Sequence, residues 1–216
     1  MINKFTCLTN TPSASLNYNV SIVNISSSNL FDLEDKIKYD AMCASGCPNF
    51  NKKWSCPPFA PVYHYFTAKL KYLYLFYMQI KMDQFEYIKS NYLKIKTANN
   101  ILKSKADKYL REISQKYGKY ISTGSCRLCK PCKCKIEQPC SNPEKKTYSF
   151  EAMGIDVNNL VELYFKSKLL WYRQGQLPEY TSIVCGILSN ELYAIKILQD
   201  EYNKLIIHEK EKYRRK

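Results

Sequence analysis

Apolar and polar positions divide the chain into short segments with two different periods. Residues 17–25 alternate loosely between the two and run into a Ser/Asn cluster, which predicts a strand followed by a turn. Ser28 and Asn29 are placed to cap a short helix from Leu30 to Tyr39. Residues 41–61 are rich in Cys, Pro, Asn and Gly, and Pro57-Pro58 excludes helix there, so this stretch reads as a loop. Residues 70–80 are apolar and aromatic and read as a buried strand; residues 83–93 read as a short helix.

The clearest helix opens at Asn99 or Asn100. Ile101, Leu102, Tyr109, Leu110, Ile113 and Tyr117 share one face at helical spacing, and Gly118 is placed to end it. A short strand is expected from Tyr120 to Thr123, a helix over 157–171 and a strand over 181–188. Asn190 is placed to cap a last amphipathic helix that runs to about Tyr213. There is no linker and no long internal repeat. The pattern predicts a single domain over residues 1–216, of α+β class with a mixed α/β arrangement as the variant. It would contain a small sheet, flanking helices and Cys-rich metal-binding loops at 41–61 and 124–145, on one end of the sheet.

Totals refine this picture in three ways. The 216 residues, 45% hydrophobic and 24% charged, suffice for one substantial core and argue against a disordered or fibrous chain. The start lacks the apolar run of a secretory signal, and the most apolar stretch, Leu73 to Met78, is far shorter than the roughly 20 residues that span a bilayer. The expectation is therefore a cytoplasmic protein with no membrane partner. The formal charge of +14 raises the prior for an acidic partner such as nucleic acid, but the basic residues are spread along the chain. Only the tail from His208 to Lys216 is dense in charge.

A reducing compartment decides how the ten cysteines are read, because clustered thiols there hold metal more often than they form disulfides. Eight of them fall in two blocks. The second block contains Cys126, Cys129 and Cys132 at the Cys-x2-Cys-x2-Cys spacing of cluster-binding loops, followed by Cys134 and Cys140. Cys134 stands too close to Cys132 for both to reach one cube easily, so Cys140 is the expected fourth ligand and Cys134 a spare or exchange partner. Zinc is the competing metal. It usually pairs two Cys-x2-Cys knuckles or adds histidines, and the two histidines here, His64 and His208, lie outside both blocks.

The first block, Cys43, Cys47 and Cys56, has x3 and x8 spacing. Three thiolates on a four-iron cluster leave one iron open, the arrangement that Lewis-acid chemistry needs. Cys56 followed by Pro57 also resembles the remote Cys-Pro ligand of two-cluster ferredoxins, in which case the two blocks would exchange ligands and lie side by side. Glu151 and Asp156 can be read as groups near a cluster, or as part of a turn with Gly154 in which Asp156 caps the next helix. Trp54 reads as a cluster shield or as core packing. His64 reads as structural, and Cys185 as an inert core thiol.

Both blocks and their flanks resemble the predicted metal-binding DUF2284 family. The likeness rests on Cys43-x3-Cys47-Pro-Asn-Phe-x3-Trp54-Ser-Cys56-Pro-Pro58, on the run from Cys126 to Cys140, and on Ser149-Phe-Glu-Ala-Met-Gly-Ile-Asp-Val157. The family pattern carries an arginine where this chain has Ser141. The resemblance implies cluster binding and leaves the reaction open. The leading expectation is one or two [4Fe–4S] clusters in electron transfer with a redox protein partner. The alternatives are an enzyme using the open iron of the three-cysteine block on a small-molecule substrate, and a zinc-stabilised nucleic-acid-binding module. No nucleotide-binding glycine loop is present.

Overall fold

The computed structural model describes residues 2–173 and 175–214. Five strands, β1 (Asn3–Asn10), β2 (Ser15–Ser26), β3 (Tyr72–Lys81), β4 (Lys119–Ile121) and β5 (Tyr180–Ser189), form one antiparallel sheet in the order β1-β2-β3-β5-β4. The helices are α1 (Lys36–Ala44), α2 (Tyr63–Thr67), α3 (Asn91–Tyr117), α4 (Val157–Phe165) and α5 (Ile195–Arg214). The class is α+β, as the pattern of elements predicts.

Both faces of the sheet are covered, which explains why β3 is apolar along nearly its whole length. Tyr74, Phe76 and Met78 join Tyr18, Val20, Cys185 and Ile187 beneath α3 and α5. Leu73, Leu75 and Tyr77 face the other way, with Val184 and Leu188, and pack under α4, Tyr63, Phe150 and Met153. The alternation along one strand thus feeds two separate cores.

Several boundaries differ from the sequence reading. β1 was not signalled, because it is an edge strand whose burial alternates and becomes complete only at Cys7 and Thr9. Its hairpin to β2 closes where the Thr11 amide donates to the Ala14 carbonyl at 2.8 Å and the Thr11 hydroxyl accepts from the Ala14 amide at 3.0 Å. Ser28 and Asn29 do not cap a helix. Residues 27–33 form 3-10 turns, and α1 starts only at Lys36, capped by the Asp35 carboxylate through the Lys38 amide. The reason is tertiary: Glu34 bridges to Ile155 and the Asp35 amide donates to the Gly154 carbonyl at 2.7 Å, which holds this backbone out of a helix.

Residues 82–85 form a 3-10 turn in place of a helix over 83–93, and α3 begins at Asn91 with Ser90 as its cap. Its first turns carry exposed Tyr92 and Leu93, so the apolar stripe starts later than the helix does. α4 stops at Phe165 because Lys166 takes a left-handed conformation. Asn190 does not cap α5. The Tyr74 hydroxyl holds Tyr193 by both its amide and its carbonyl, and α5 starts beyond that clamp. The last two residues of the basic tail lie outside the described residues. Among the described residues, no helix is long and apolar enough to cross a membrane.

Candidate metal centre

The first cysteine block begins inside a helix. Cys43 lies in the last turn of α1, and the Cys47 amide donates to the Cys43 carbonyl at 3.0 Å, continuing that turn into the loop. Further tight turns follow: Phe50 bonds back to Cys47, Cys56 to Lys53, and Phe59 and Ala60 to Cys56. This folding returns Cys56 toward the start of the block. Burial pushes the Cys56 thiol up to about 11; the Ser55 hydroxyl opposes the rise, Cys47 and Cys43 add to it, and Lys53 lowers it. Cys43 is pushed up by burial first, then by Cys47, Asp40 and Glu151, against Lys36. The three thiols therefore lie within electrostatic reach of one another.

The second block is an excursion with closed ends. It leaves β4 at Ser122 and returns at Ser149, and these two residues form a parallel bridge. Within it the Asn142 amide donates to Cys129 Sγ at 3.1 Å. Cys134 is buried in a 3-10 turn, and burial and then Cys132 raise its thiol. Cys126, Cys129, Cys132 and Cys140 are half-buried.

Four hydrogen bonds fasten the two loops to each other. The Cys126 amide donates to Ser55 Oγ at 3.0 Å. Lys53 Nζ donates to Ser125 Oγ at 2.9 Å and to the Cys126 carbonyl at 3.4 Å. Trp54 Nε1 donates to the Gln138 carbonyl at 2.9 Å, while its ring packs edge-on against Phe59. Trp54 and Phe59 share a small cavity with Cys134. Trp54 is thus a strut between the blocks. Lys53, Ser55 and Asn142 were not singled out in the sequence; Lys53 and Ser55 are hidden in plain view within the first block, whereas nothing local marks Asn142.

None of the ten cysteines is in a disulfide. The donor chemistry, soft sulfur from two adjacent loops with lysines close by, fits an iron–sulfur cluster or zinc. Among the described residues, however, no three Cys, His, Asp or Glu side chains already close on a point that would hold a metal ion. The thiols are grouped rather than converged, so metal binding must turn side chains inward and release their protons.

The remaining sequence candidates separate cleanly. Asp156 caps α4 through the Asn158 and Asn159 amides, and Gly154 supplies a positive φ of 95°. His64 Nδ1 pairs with Glu34 at 2.6 Å. Cys185 is fully buried in β5, with its thiol 3.7 Å from the Phe76 carbonyl, and Cys7 is buried under the same face. Glu151 stays in play, since its charge reaches Cys43.

No curated protein and no solved structure gives a significant match to the chain. The profile of the family described as "Predicted metal-binding protein (DUF2284)" matches residues 30–187, a span that includes both cysteine loops. With that match covering most of its length, the chain belongs to the predicted metal-binding family DUF2284.

Proposed function

We propose that this protein carries one or two [4Fe–4S] clusters and acts in electron transfer with a redox protein partner in a reducing compartment such as the cytoplasm. The observation that supports this most is the fastening of the two cysteine-bearing loops to each other through Ser55, Lys53 and Trp54. Cys126, Cys129, Cys132 and Cys140 would hold one cube, with Cys134 as the spare or exchange ligand. Cys43, Cys47 and Cys56 would hold the other. A bound cube supplies a one-electron store. The Asn142 N–H at Cys129 Sγ would stabilise charge on that sulfur and so favour the reduced state of a bound cube.

A second reading makes the protein an enzyme with an open iron at the three-cysteine block. It is favoured by the count of three thiols there and by Glu151, a carboxylate whose charge reaches Cys43.

Purification without oxygen, followed by assay of iron, sulfide and zinc per chain, tests both. About four irons are expected for one cube and about eight for two. Colourless protein with stoichiometric zinc and no iron would overturn both readings, and salt-dependent RNA or DNA binding by that zinc form would support a nucleic-acid module instead. If iron is present, a cluster spectrum that changes on adding small thiols favours the open site. An unchanged spectrum favours electron transfer alone.

A further inference from the structure

A cavity of about 300 Å³ opens beside the cysteine loops, lined by Asn99 and Lys103 of α3, by Thr123, Glu151, Trp171 and Tyr172, and by Thr181–Val184 of β5. Its size lies at the lower end of the range of about 300–1,000 Å³ typical of small-molecule sites. The second cysteine block borders it, and the first lies within electrostatic reach of one charge in its lining. Glu151 is among the charges that raise the Cys43 thiol. Thr123 opens the second excursion, and Lys103 Nζ lies 3.9 Å from where a Cβ on Gly124 would stand, two residues before Cys126.

Two features of the lining call for a ligand. The first is charge. Lys103 and Glu151 both line the cavity, yet neither side chain forms a hydrogen bond or an ion pair with any described residue. An ammonium and a carboxylate at one small site, unpaired with each other, match a molecule with the opposite charges at its two ends. The second is backbone. β4 pairs only with Gly186–Leu188, so among the described residues the Thr181–Val184 edge has no strand neighbour on that side. Its outward-facing peptide groups form a wall of donors and acceptors. Leu169, Leu170 and the Trp171 ring supply an apolar remainder.

We propose that this cavity binds a zwitterion of amino-acid size, its carboxylate on Lys103 and its ammonium on Glu151. The ligand's ammonium would then sit on the carboxylate whose charge reaches Cys43, which deepens the open-site reading and rests on it for any chemistry; binding itself requires no metal.

The test is calorimetric titration of the full chain as purified, with its metal content measured on the same sample. The probes are L-cysteine, L-serine, L-alanine and L-glutamate, with propionate as a carboxylate lacking the ammonium. At least one amino acid should bind with a submillimolar Kd. Lys103→Met should weaken that binding about tenfold or more. Glu151→Gln should weaken the amino acid by a similar factor and leave propionate unchanged. Thermal melts within a few degrees of the parent show that both variants fold. Absence of binding by every probe, or unaltered binding in both folded variants, overturns the proposal. Absence of iron overturns the cluster reading and leaves the binding result standing, so the two failures are distinguishable.

Discussion

Cys56 and Cys185 show that burial of a thiol does not decide its role. Burial raises both, yet Cys56 has Cys47, Cys43 and Lys53 around it, whereas the electrostatic neighbour of Cys185 is Asp107 and its contact is the Phe76 carbonyl. Cys56→Ser should remove the metal of the first block, which for a two-cluster protein halves the iron per chain. Cys185→Ala should keep all the iron and cost about 1 kcal/mol of stability from the void left in β5. Iron assays and thermal melts on the two variants, prepared anaerobically, check the contrast. Ser55 acts at the same scale. Replacing it by Ala leaves the Cys126 amide without its acceptor, a loss of about 1 kcal/mol. The expected result is faster loss of the cluster absorbance in air, with the circular dichroism of the sheet unchanged.

Among the elements, α1 is the one whose placement governs the site, because Cys43 lies in its last turn. Its start rests on the turn at Gly154. A Cβ there would stand 2.8 Å from the Lys36 Cα and 2.9 Å from the Lys36 nitrogen, and the residue already needs a positive φ. Gly154→Ala should push α1 off this turn, lowering metal loading and costing about 1–3 kcal/mol. Gly118 plays a comparable part between α3 and β4. A Cβ on it would lie 1.9 Å from the Leu188 carbonyl oxygen, so the strand pairing leaves no room for a side chain. Gly118→Ala should therefore destabilise the sheet itself. Metal assay beside chemical denaturation separates the two glycines: the first variant loses metal before it loses structure, and the second loses both together.

At the scale of the molecule, the Glu209 carboxylate ties the helical layer together. Glu209 of α5 accepts from Lys105, Lys108 and Tyr109 of α3, the Lys108 contact at 2.7 Å. Burial alone would raise its pKa, but the hydrogen bonds from Lys105, Lys108 and Tyr109 outweigh burial and hold it at about 2. The folded value lies below the unfolded value of about 4.3, so folding favours the ionised form. The stabilisation is complete above about pH 4.3 and is lost as the pH falls toward 2. Glu209→Gln should melt below the parent at pH 7, and the gap should close between pH 4 and 2. Melting curves across that range check the sign. The Glu209 partners Lys105, Lys108 and Tyr109 all lie in α3 and none in the cysteine loops, so metal loading should be the same in this variant.

The chain's local pattern settled the class of fold and the likeness to a predicted metal-binding family. Strand β3, the apolar stripe of α3 and the Cys-x2-Cys-x2-Cys run are statements about neighbours within a few residues, and these survive folding unchanged. Asp156 as a cap and Cys185 as a core thiol were legible for the same reason. What only the tertiary structure decided involves partners far apart in the chain. The late start of α1 follows from the Gly154 carbonyl taking the Asp35 amide, and the delay of α5 from the Tyr74 hydroxyl. The meeting of the two cysteine loops depends on contacts such as Lys53 with Ser125 and Trp54 with Gln138. Lys103 carries no mark in its own helix and comes beside Glu151 and Thr123 only when α3 packs against the sheet. Spacing along a chain can specify what a loop would bind, but backbone hydrogen bonds and packing between distant segments decide which loops share a site.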